Sequence, residues 1–248
     1  MAETLAANLD PQAVAFYRHV LEVLRAKRIG VLIGGAWAFE AHTGISGRTK
    51  DLDLFLRPRD VEAALAALDA AGYRTELTSP VWIAKAYLEH DLVDLIFSSG
   101  NGLCTVDDAW FEHARPATVL GMRTRLIPFE EMIWSKAFLM ERDRFDGADV
   151  NHLILAAGGR LDGDRLLARF GVHWRVLLAH IVLFDYAFPG RRGLVPDGLR
   201  RSLLERAADG WASGDQEAAD LCYGTFLTRH QYADDVAEEG PFIDARHA

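Results

Sequence analysis

A pair of glycines between an apolar run and a helix-like stretch most constrains what this chain can fold into. The run from Ile29 to Ile33 has the length and the β-branched side chains of a buried strand. It ends at Gly34 and Gly35, and residues 36–42 favour a helix. Residues without a Cβ let the backbone approach a ligand closely, and the start of a helix presents free N–H groups and a partial positive charge. The stretch therefore predicts a strand, a tight turn and a helix that together form an anion site.

A second pattern follows the basic loop after this helix, where two aspartates alternate with leucines. Alternation places Asp51 and Asp53 on one face of a strand and the leucines on the other face. Two carboxylates at positions i and i+2 of a strand can hold a hard cation together. The glycines fit neither a G-x-G-x-x-G motif nor a P-loop, since no Lys-Ser or Lys-Thr follows Gly35. Either pattern alone also fits an ordinary turn or a solvated strand face, but the two in this order favour a functional site.

The order of strand, Gly-Gly turn, helix and Asp-x-Asp strand resembles the nucleotidyltransferase superfamily that shares the DNA polymerase β palm. The matching residues are Gly34, Gly35, Asp51 and Asp53. Within the superfamily, the chain looks most like small bacterial antibiotic nucleotidyltransferases and AbiEii-type toxin transferases. The resemblance implies an α/β domain with a mixed sheet and transfer of an NMP from an NTP to a hydroxyl acceptor, with release of pyrophosphate. It also implies dependence on Mg²⁺, with Mn²⁺ as an alternative.

A third carboxylate is expected on a neighbouring strand. The run LVDLIF predicts a buried strand whose one acid is Asp94, and a buried charge needs a partner. A metal ion held together with Asp51 and Asp53 would supply that partner, and the resemblance implies the same ligand set. Asp91 is the alternative, but it falls in the predicted turn before the strand.

Phosphate ligands are expected from the glycine turn and from the loop after its helix. We expect Gly34 and Gly35 to donate backbone N–H groups to the β- and γ-phosphates. Arg48, Thr49 and Lys50 lie close enough in sequence to add to phosphate binding, and only Arg48 or Lys50 has the charge to neutralise it.

Lys136 lies on the apolar face of a helix predicted to start at Pro128, where a lysine must snorkel to solvent or meet an anion. The superfamily often sends a helix lysine to the triphosphate, so the resemblance implies that Lys136 binds phosphate. The alternative is a flanking lysine that only snorkels. Arg144, Asp146 and Asp149 indicate an ion-pair junction between helices, in which Asp149 is structural or faces the cleft.

Residues 1–126 are therefore predicted to form a palm-like α/β domain and residues 127–248 an all-helical domain, with nucleotide between them. Glycine and proline breaks separate four helices predicted in the second half of the chain: Gly163–Phe170, His173–Phe188, Leu199–Ala208 and Asp215–Leu227.

Composition and charge limit the classes of partner and the cell location that are expected for this chain. The chain has 248 residues, a formal net charge of −9 and two cysteines, so neither a disulfide framework nor extended DNA binding is expected. The most apolar segment, 176–188, is interrupted by His180 and Asp185, and no membrane span or secretory signal is predicted. A cytoplasmic protein is expected, and its acceptor is a small molecule, an RNA end or a protein. The alternative is a non-catalytic nucleotide-binding or toxin–antitoxin-type interaction protein on the same fold.

Overall fold

A computed structural model of the chain describes residues 5, 9–47, 49–213 and 220–248, with only the backbone described for residues 211–213. The chain forms two compact units, Met1–Pro128 and Phe129–Ala248. The first unit is built on a seven-stranded sheet and the second is mainly helical. The predicted architecture, a mixed-sheet α/β fold followed by helices, is confirmed.

The first unit alternates helices and strands around one mixed sheet. Its elements in chain order are α1 (Pro11–Ala26), β1 (Leu32–Ile33), α2 (Gly35–Thr43), β2 (Asp51–Phe55), α3 (Val61–Ala70), β3 (Arg74–Ser79), β4 (Ile83–Leu88), β5 (Asp91–Ile96), α4 (Asp108–Glu112), β6 (Arg115–Val119) and β7 (Met122–Leu126). The strand order is β3-β4-β5-β2-β1-β7-β6. β1 pairs antiparallel with β2 and parallel with β7, and β2 pairs parallel with β5.

Local sequence explains the elements that carry the site. Along β2, Leu52 and Leu54 are fully buried while Asp51 and Asp53 are half-buried, which confirms the predicted alternation. α1 starts at a proline in its first turn, and the Asp10 side chain caps it by accepting a hydrogen bond from the Gln12 N–H at 2.8 Å.

Two details of the sheet differ from the sequence prediction. β3 was not predicted, because its sequence RTELTS is polar on both faces and four of its six residues are exposed. It is held as an edge strand by antiparallel pairing with β4. Asp91, which was assigned to a turn, is the first residue of β5 and pairs with Leu88.

The second unit contains α5 (Phe129–Ala137), α6 (Gly147–Ala157), α7 (Gly163–Phe170), α8 (Trp174–Ala187) and α9 (Asp197–Ser213), followed by β8 (Leu221–Cys222) and β9 (Ile243–Asp244). The helix predicted over Asp215–Leu227 is wrong for residues 220–227, and residues 215–219 lie outside the described part. β8 pairs with β9 instead, because the Thr225 hydroxyl donates to the buried Asp244 carboxylate at 2.7 Å and ties the tail to this segment. The unit is therefore not purely helical.

Buried charges organise the start of the helical unit. Glu130 and Glu131 of α5 are 5 % and 0 % exposed, and both pair with Arg165 of α7. Arg169 Nε also donates to Glu131 Oε1 at 3.0 Å, and Glu130 Oε1 accepts the Asp162 N–H at 2.8 Å. Burial raises the pKa of the Glu131 carboxyl despite the two arginines. The acidic pair therefore joins two helices as well as complementing the α5 dipole.

One helical run in the described residues, Gly163–Ala187, is long and apolar enough to cross a membrane. The sequence predicts no membrane span anywhere in the chain, and its most apolar segment, 176–188, is only the second half of this run. The run is not one helix, because a 3₁₀ turn over Gly171–His173 joins α7 to α8. Leu166, Leu177 and Phe184 are fully buried inside the unit.

Candidate functional site

The structure brings the three predicted acids to one face of the sheet. β2 and β5 are parallel neighbours, and Asp53 is the register partner of Asp94. Register partners point to the same side of a sheet, and Asp51 lies two residues from Asp53 and so shares that side. We name Asp51, Asp53 and Asp94 the acid face.

The glycine turn lies directly beside the acid face. Gly35 has φ +52°, and a Cβ at this position would lie 1.6 Å from Asp53 Oδ2. A Cβ on Gly34 would lie 2.1 Å from Cε2 of Phe55. Both positions therefore require glycine, Gly35 because the Asp53 carboxylate packs against its backbone at the start of α2.

The Gly34 N–H, which is predicted to bind phosphate, makes a hydrogen bond within the sheet, and its phosphate contact stays a prediction. The Gly34 N–H donates to the Asp53 carbonyl oxygen at 2.9 Å and so is already used inside the sheet. The first intrahelical bond of α2 runs from the Ala38 N–H to the Gly34 carbonyl at 3.0 Å. The N–H groups of the first turn of α2, from Gly35 to Trp37, are those that a helix leaves without an intrahelical acceptor.

Hydrogen bonds from side chains fix Asp51 and the residue before it. The Thr49 hydroxyl donates to Asp51 Oδ1 at 2.7 Å, so Thr49 orients a predicted metal ligand, and its phosphate contact stays a prediction. The Trp37 indole N–H donates to the Asp51 carbonyl at 3.1 Å, and the buried Tyr17 hydroxyl donates to the Lys50 carbonyl at 3.2 Å. Burial, together with nearby aspartates, raises the pKa of Tyr17 far above its usual range.

Asp94 has a charge partner that sequence reasoning missed. Lys85 of β4 is its register partner, and Lys85 Nζ lies 2.7 Å from Asp94 Oδ1. The predicted charge partner of Asp94 is thus present as an ammonium group, and metal binding by Asp94 stays a prediction. Burial nevertheless raises the pKa of the Asp94 carboxyl. The signal was present in the sequence, since Lys85 is the one charged residue in the apolar strand IAKAYL.

The acid face fits a divalent cation by its chemistry. Carboxylate oxygens are the ligands that Mg²⁺ and Mn²⁺ prefer, and the half-buried Asp51 and Asp53 keep access to solvent. Among the described residues, no group of three or more His, Cys, Asp and Glu side chains is close enough to form a metal site. Metal binding by Asp51, Asp53 and Asp94 stays a prediction, and Asp94 is paired with Lys85 in this structure.

The other predicted phosphate ligands have different outcomes. Arg48 lies outside the described residues, and Lys50 is exposed next to Asp51. In the second unit, Lys136 Nζ lies 2.8 Å from Asp146 Oδ2 and 2.7 Å from Asp149 Oδ2. These contacts give the ion-pair junction that the sequence indicated and favour a structural Asp149. Phosphate binding by Lys136 stays a prediction.

Comparisons with known proteins agree with the geometry. The family model of aminoglycoside-2''-adenylyltransferases matches residues 17–112, which include the glycine turn and the acid face. No curated protein matches the chain.

Solved structures with similar folds include the antibiotic-resistance factor ANT(2'')-Ia, with 19 % identity over 69 % of this chain and 98 % of that one and a TM-score of 0.49. A lincosamide antibiotic adenylyltransferase, LnuA, is 16 % identical over 59 % of this chain and 97 % of that one, with a TM-score of 0.41. A nucleotidyltransferase-like protein from Paracoccidioides brasiliensis is 15 % identical over 74 % of this chain and 94 % of that one, with a TM-score of 0.46. The predicted resemblance to antibiotic nucleotidyltransferases is confirmed.

Proposed function

We propose that this protein transfers an NMP from an NTP to a hydroxyl group of a small-molecule acceptor and releases pyrophosphate. The observation that carries the proposal is the packing of the Asp53 carboxylate against Gly35, at the start of α2 and in register with Asp94. Free N–H groups at the start of a helix attract phosphate, and here they lie next to carboxylates on a sheet. The family match over residues 17–112 supports the same reaction class.

The triphosphate is proposed to lie at the start of α2. The N–H groups of its first turn and the positive end of the helix dipole attract phosphate oxygens. Gly35 has no side chain, so the backbone there is open to close approach. Lys50, and Arg48 outside the described residues, would add positive charge from the loop that leads into β2.

Asp51 and Asp53 are proposed to hold Mg²⁺, or Mn²⁺ in its place. Thr49 orients the Asp51 carboxylate, and Gly35 leaves room for the Asp53 carboxylate. A cation bound there would neutralise phosphate oxygens and stabilise the charge that develops in the transition state. Bound metal and nucleotide should raise the melting temperature of the protein by mass action.

Asp94 is proposed to orient the acceptor hydroxyl by accepting its hydrogen bond. Burial raises the pKa of its carboxyl, which makes Asp94 a better proton acceptor than an exposed aspartate. Lys85 holds one carboxylate oxygen at 2.7 Å and leaves the other for the acceptor. Asp94 would also contribute to the cation site if Lys85 released it.

A cationic antibiotic is the acceptor that we propose. The family that matches residues 17–112 is described by its transfer to the 2'' position of aminoglycosides, which carry several amino groups. A formal net charge of −9 favours association with such a cation. An RNA end or a protein hydroxyl remains an alternative acceptor. We also propose that the protein acts in the cytoplasm.

A non-catalytic nucleotide-binding role is the second candidate. The observation that favours it is the Lys85–Asp94 ion pair, which occupies an oxygen that the predicted three-carboxylate site would need. In this role the protein would bind nucleotide at α2 and transfer nothing.

Labelled nucleotides distinguish the two roles. The protein is incubated with Mg²⁺, an aminoglycoside and ATP labelled at either the α- or the γ-phosphate, and parallel reactions contain a lincosamide, total RNA or lysate protein. Nucleotidyl transfer predicts that only the α-label reaches the acceptor. Transfer of the γ-label would show a kinase and overturn the proposal. Binding of ATP without any transfer would support the non-catalytic role.

A further inference from the structure

A cavity of about 390 Å³ lies in the first unit and is separate from the acid face. It is lined by the last turns of α1, the residues that lead into β1 (Arg28–Val31) and the start of β7 (Met122–Arg125). Four of its lining residues are arginines, which are Arg25, Arg28, Arg123 and Arg125. We name it the arginine cavity.

Strand directions place the arginine cavity away from the glycine turn. β1 and β7 run parallel, and the cavity is lined by the residues before β1 and the first residues of β7. Gly34 and Gly35 follow the other end of β1, where Asp53 of the antiparallel β2 lies. The two sites are therefore at opposite ends of the same strands, and a ligand in the cavity does not occupy the acid face.

The charge of the cavity is opposite to that of the whole chain. The formal net charge is −9, yet none of the residues that line the cavity is acidic. In the described part of the chain, neither Arg28 nor Arg123 makes an ion pair. The Arg25 guanidinium donates to the Arg123 carbonyl, and Arg125 Nη1 donates to the Phe111 carbonyl at 3.2 Å. The cavity thus combines two arginines that donate to backbone carbonyls with two solvent-exposed arginines, Arg28 and Arg123, and all four guanidinium groups keep their charge.

The backbone at Arg28 gives a second, independent observation. Arg28 has φ +59°, its N–H donates to the Arg25 carbonyl, and the Ile29 N–H donates to the Leu24 carbonyl. This is the Schellman ending of a helix, at whose left-handed position glycine is preferred. A non-glycine residue there is strained, and such strain is concentrated at ligand-binding positions. Favourable charge at a helix C-terminus could explain Arg25 and Arg28, but not Arg123 and Arg125, which lie on a strand.

We propose that the arginine cavity binds a small phosphate-bearing polyanion. The planar guanidinium forms paired hydrogen bonds to phosphate oxygens, and several arginines around one space suit several negative charges. A volume of about 390 Å³ holds a short polyphosphate or a phosphorylated metabolite. The cavity would therefore give the protein a binding site for phosphate compounds that is independent of the transfer reaction.

Calorimetric titration with inorganic tripolyphosphate, without divalent metal, tests the proposal on the full chain. The double variant Arg28→Gln/Arg123→Gln should bind at least about tenfold more weakly, because each charge-assisted hydrogen bond contributes a large factor. The control variant Arg18→Gln/Lys27→Gln removes the same charge from exposed positions outside the cavity and should bind within about twofold of wild type. The variant Arg28→Lys/Arg123→Lys keeps the charge and should still bind more weakly than wild type.

Amide chemical shifts identify the site during the same titration. The Gly30 and Thr124 signals should move on addition of tripolyphosphate. The proposal would be overturned if tripolyphosphate did not bind or if it shifted only the Gly34 and Gly35 signals. It would also be overturned if the two double Gln variants lost equal affinity, or if citrate bound as tightly as tripolyphosphate. Because no step requires transfer, a negative result would leave the proposed function standing.

Discussion

Two buried acids, Asp94 in the first unit and Glu131 in the second unit, share their main electrostatic properties. Burial raises the pKa of both carboxyls. Both also pair with basic side chains, Asp94 with Lys85 and Glu131 with two arginines. A raised pKa therefore does not by itself separate a functional acid from a structural one.

The surroundings of the two acids differ. Asp94 lies beside the half-buried Asp51 and Asp53 on a strand face next to a helix start. Glu131 is 0 % exposed and is enclosed by Arg165 and Arg169, which are themselves largely buried. The groups beside Asp94 are thus accessible to a ligand and the groups around Glu131 are not, and this difference distinguishes the acid face. The charges of α5 and α7 stabilise the packing of two helices.

The largest expected effect on stability is at the buried pair of the second unit. Glu130→Ala should lower the free energy of unfolding by about 3–5 kcal/mol, because it removes an acceptor of the Asp162 N–H and a partner of Arg165. Urea unfolding measures this value. Glu130→Gln keeps the acceptor for Asp162 and should lose clearly less. Equal stability of Glu130→Ala and wild type would show that the charges of this unit are not structural.

A smaller loss of stability, with a specific loss of activity, is expected at the glycine turn. Gly35→Ala adds a Cβ at positive φ and 1.6 Å from Asp53 Oδ2, so the carboxylate must move. Such a displacement should reduce transfer by about 100-fold. Gly44→Ala is the matched control, since its φ is +75° but nothing lies within 4 Å of the added Cβ. Both variants should lose about 1–2 kcal/mol from backbone strain, and only Gly35→Ala should lose activity. A comparable loss of transfer in both would contradict the proposed role of Asp53.

The smallest expected effect is a pH dependence of stability from two histidines of the second unit, the buried His180 and the half-buried His173. His180 is fully buried, its Nε2 lies 2.9 Å from the Ala137 carbonyl, and burial lowers its pKa below the ordinary 6.5. His173 shifts in the same direction. On acidification, the unfolded chain therefore takes up protons at a higher pH than the folded chain does. The free energy of unfolding should fall as the pH drops below about 6.5, by at most about 1.4 kcal/mol per pH unit for each histidine. Melting temperatures between pH 8 and 5 measure this slope. The slope should be shallower in His180→Gln, and an unchanged slope would exclude His180 as the cause.

The sequence predicted most accurately those parts of the site that depend on local pattern. The strand, turn and helix around Gly35 and the alternation at Asp51 and Asp53 were predicted close to their observed positions, because period-2 alternation and glycine breaks are local signals. Pairing across the sheet was not predictable in the same way. Lys85 meets Asp94 only because β4 and β5 pair in one register, and the sequence carries no direct record of that register.

Other differences between the sequence prediction and the structure also arise from pairing between distant residues. The polar edge strand β3 exists because β4 offers it a hydrogen-bonding partner, and not because its own residues favour a strand face. The Gly34 N–H donates within the sheet because the Asp53 carbonyl lies opposite it. The predicted helix near the C-terminus gives way to β8 because residues far along the chain pair with it. In each case a contact between distant residues decided the outcome.

Asp53→Asn tests the central claim most directly, because it keeps the shape of the side chain and removes its charge. Transfer of the α-label and urea unfolding are measured on wild type, Asp53→Asn and the control Asp91→Asn. Asp53→Asn should lose transfer by at least about 1000-fold, with stability equal or slightly higher, since like-charge repulsion on the acid face is relieved. Asp91→Asn should retain nearly full activity. Full transfer by Asp53→Asn, or a loss of activity that only follows a loss of folded protein, would contradict the claim.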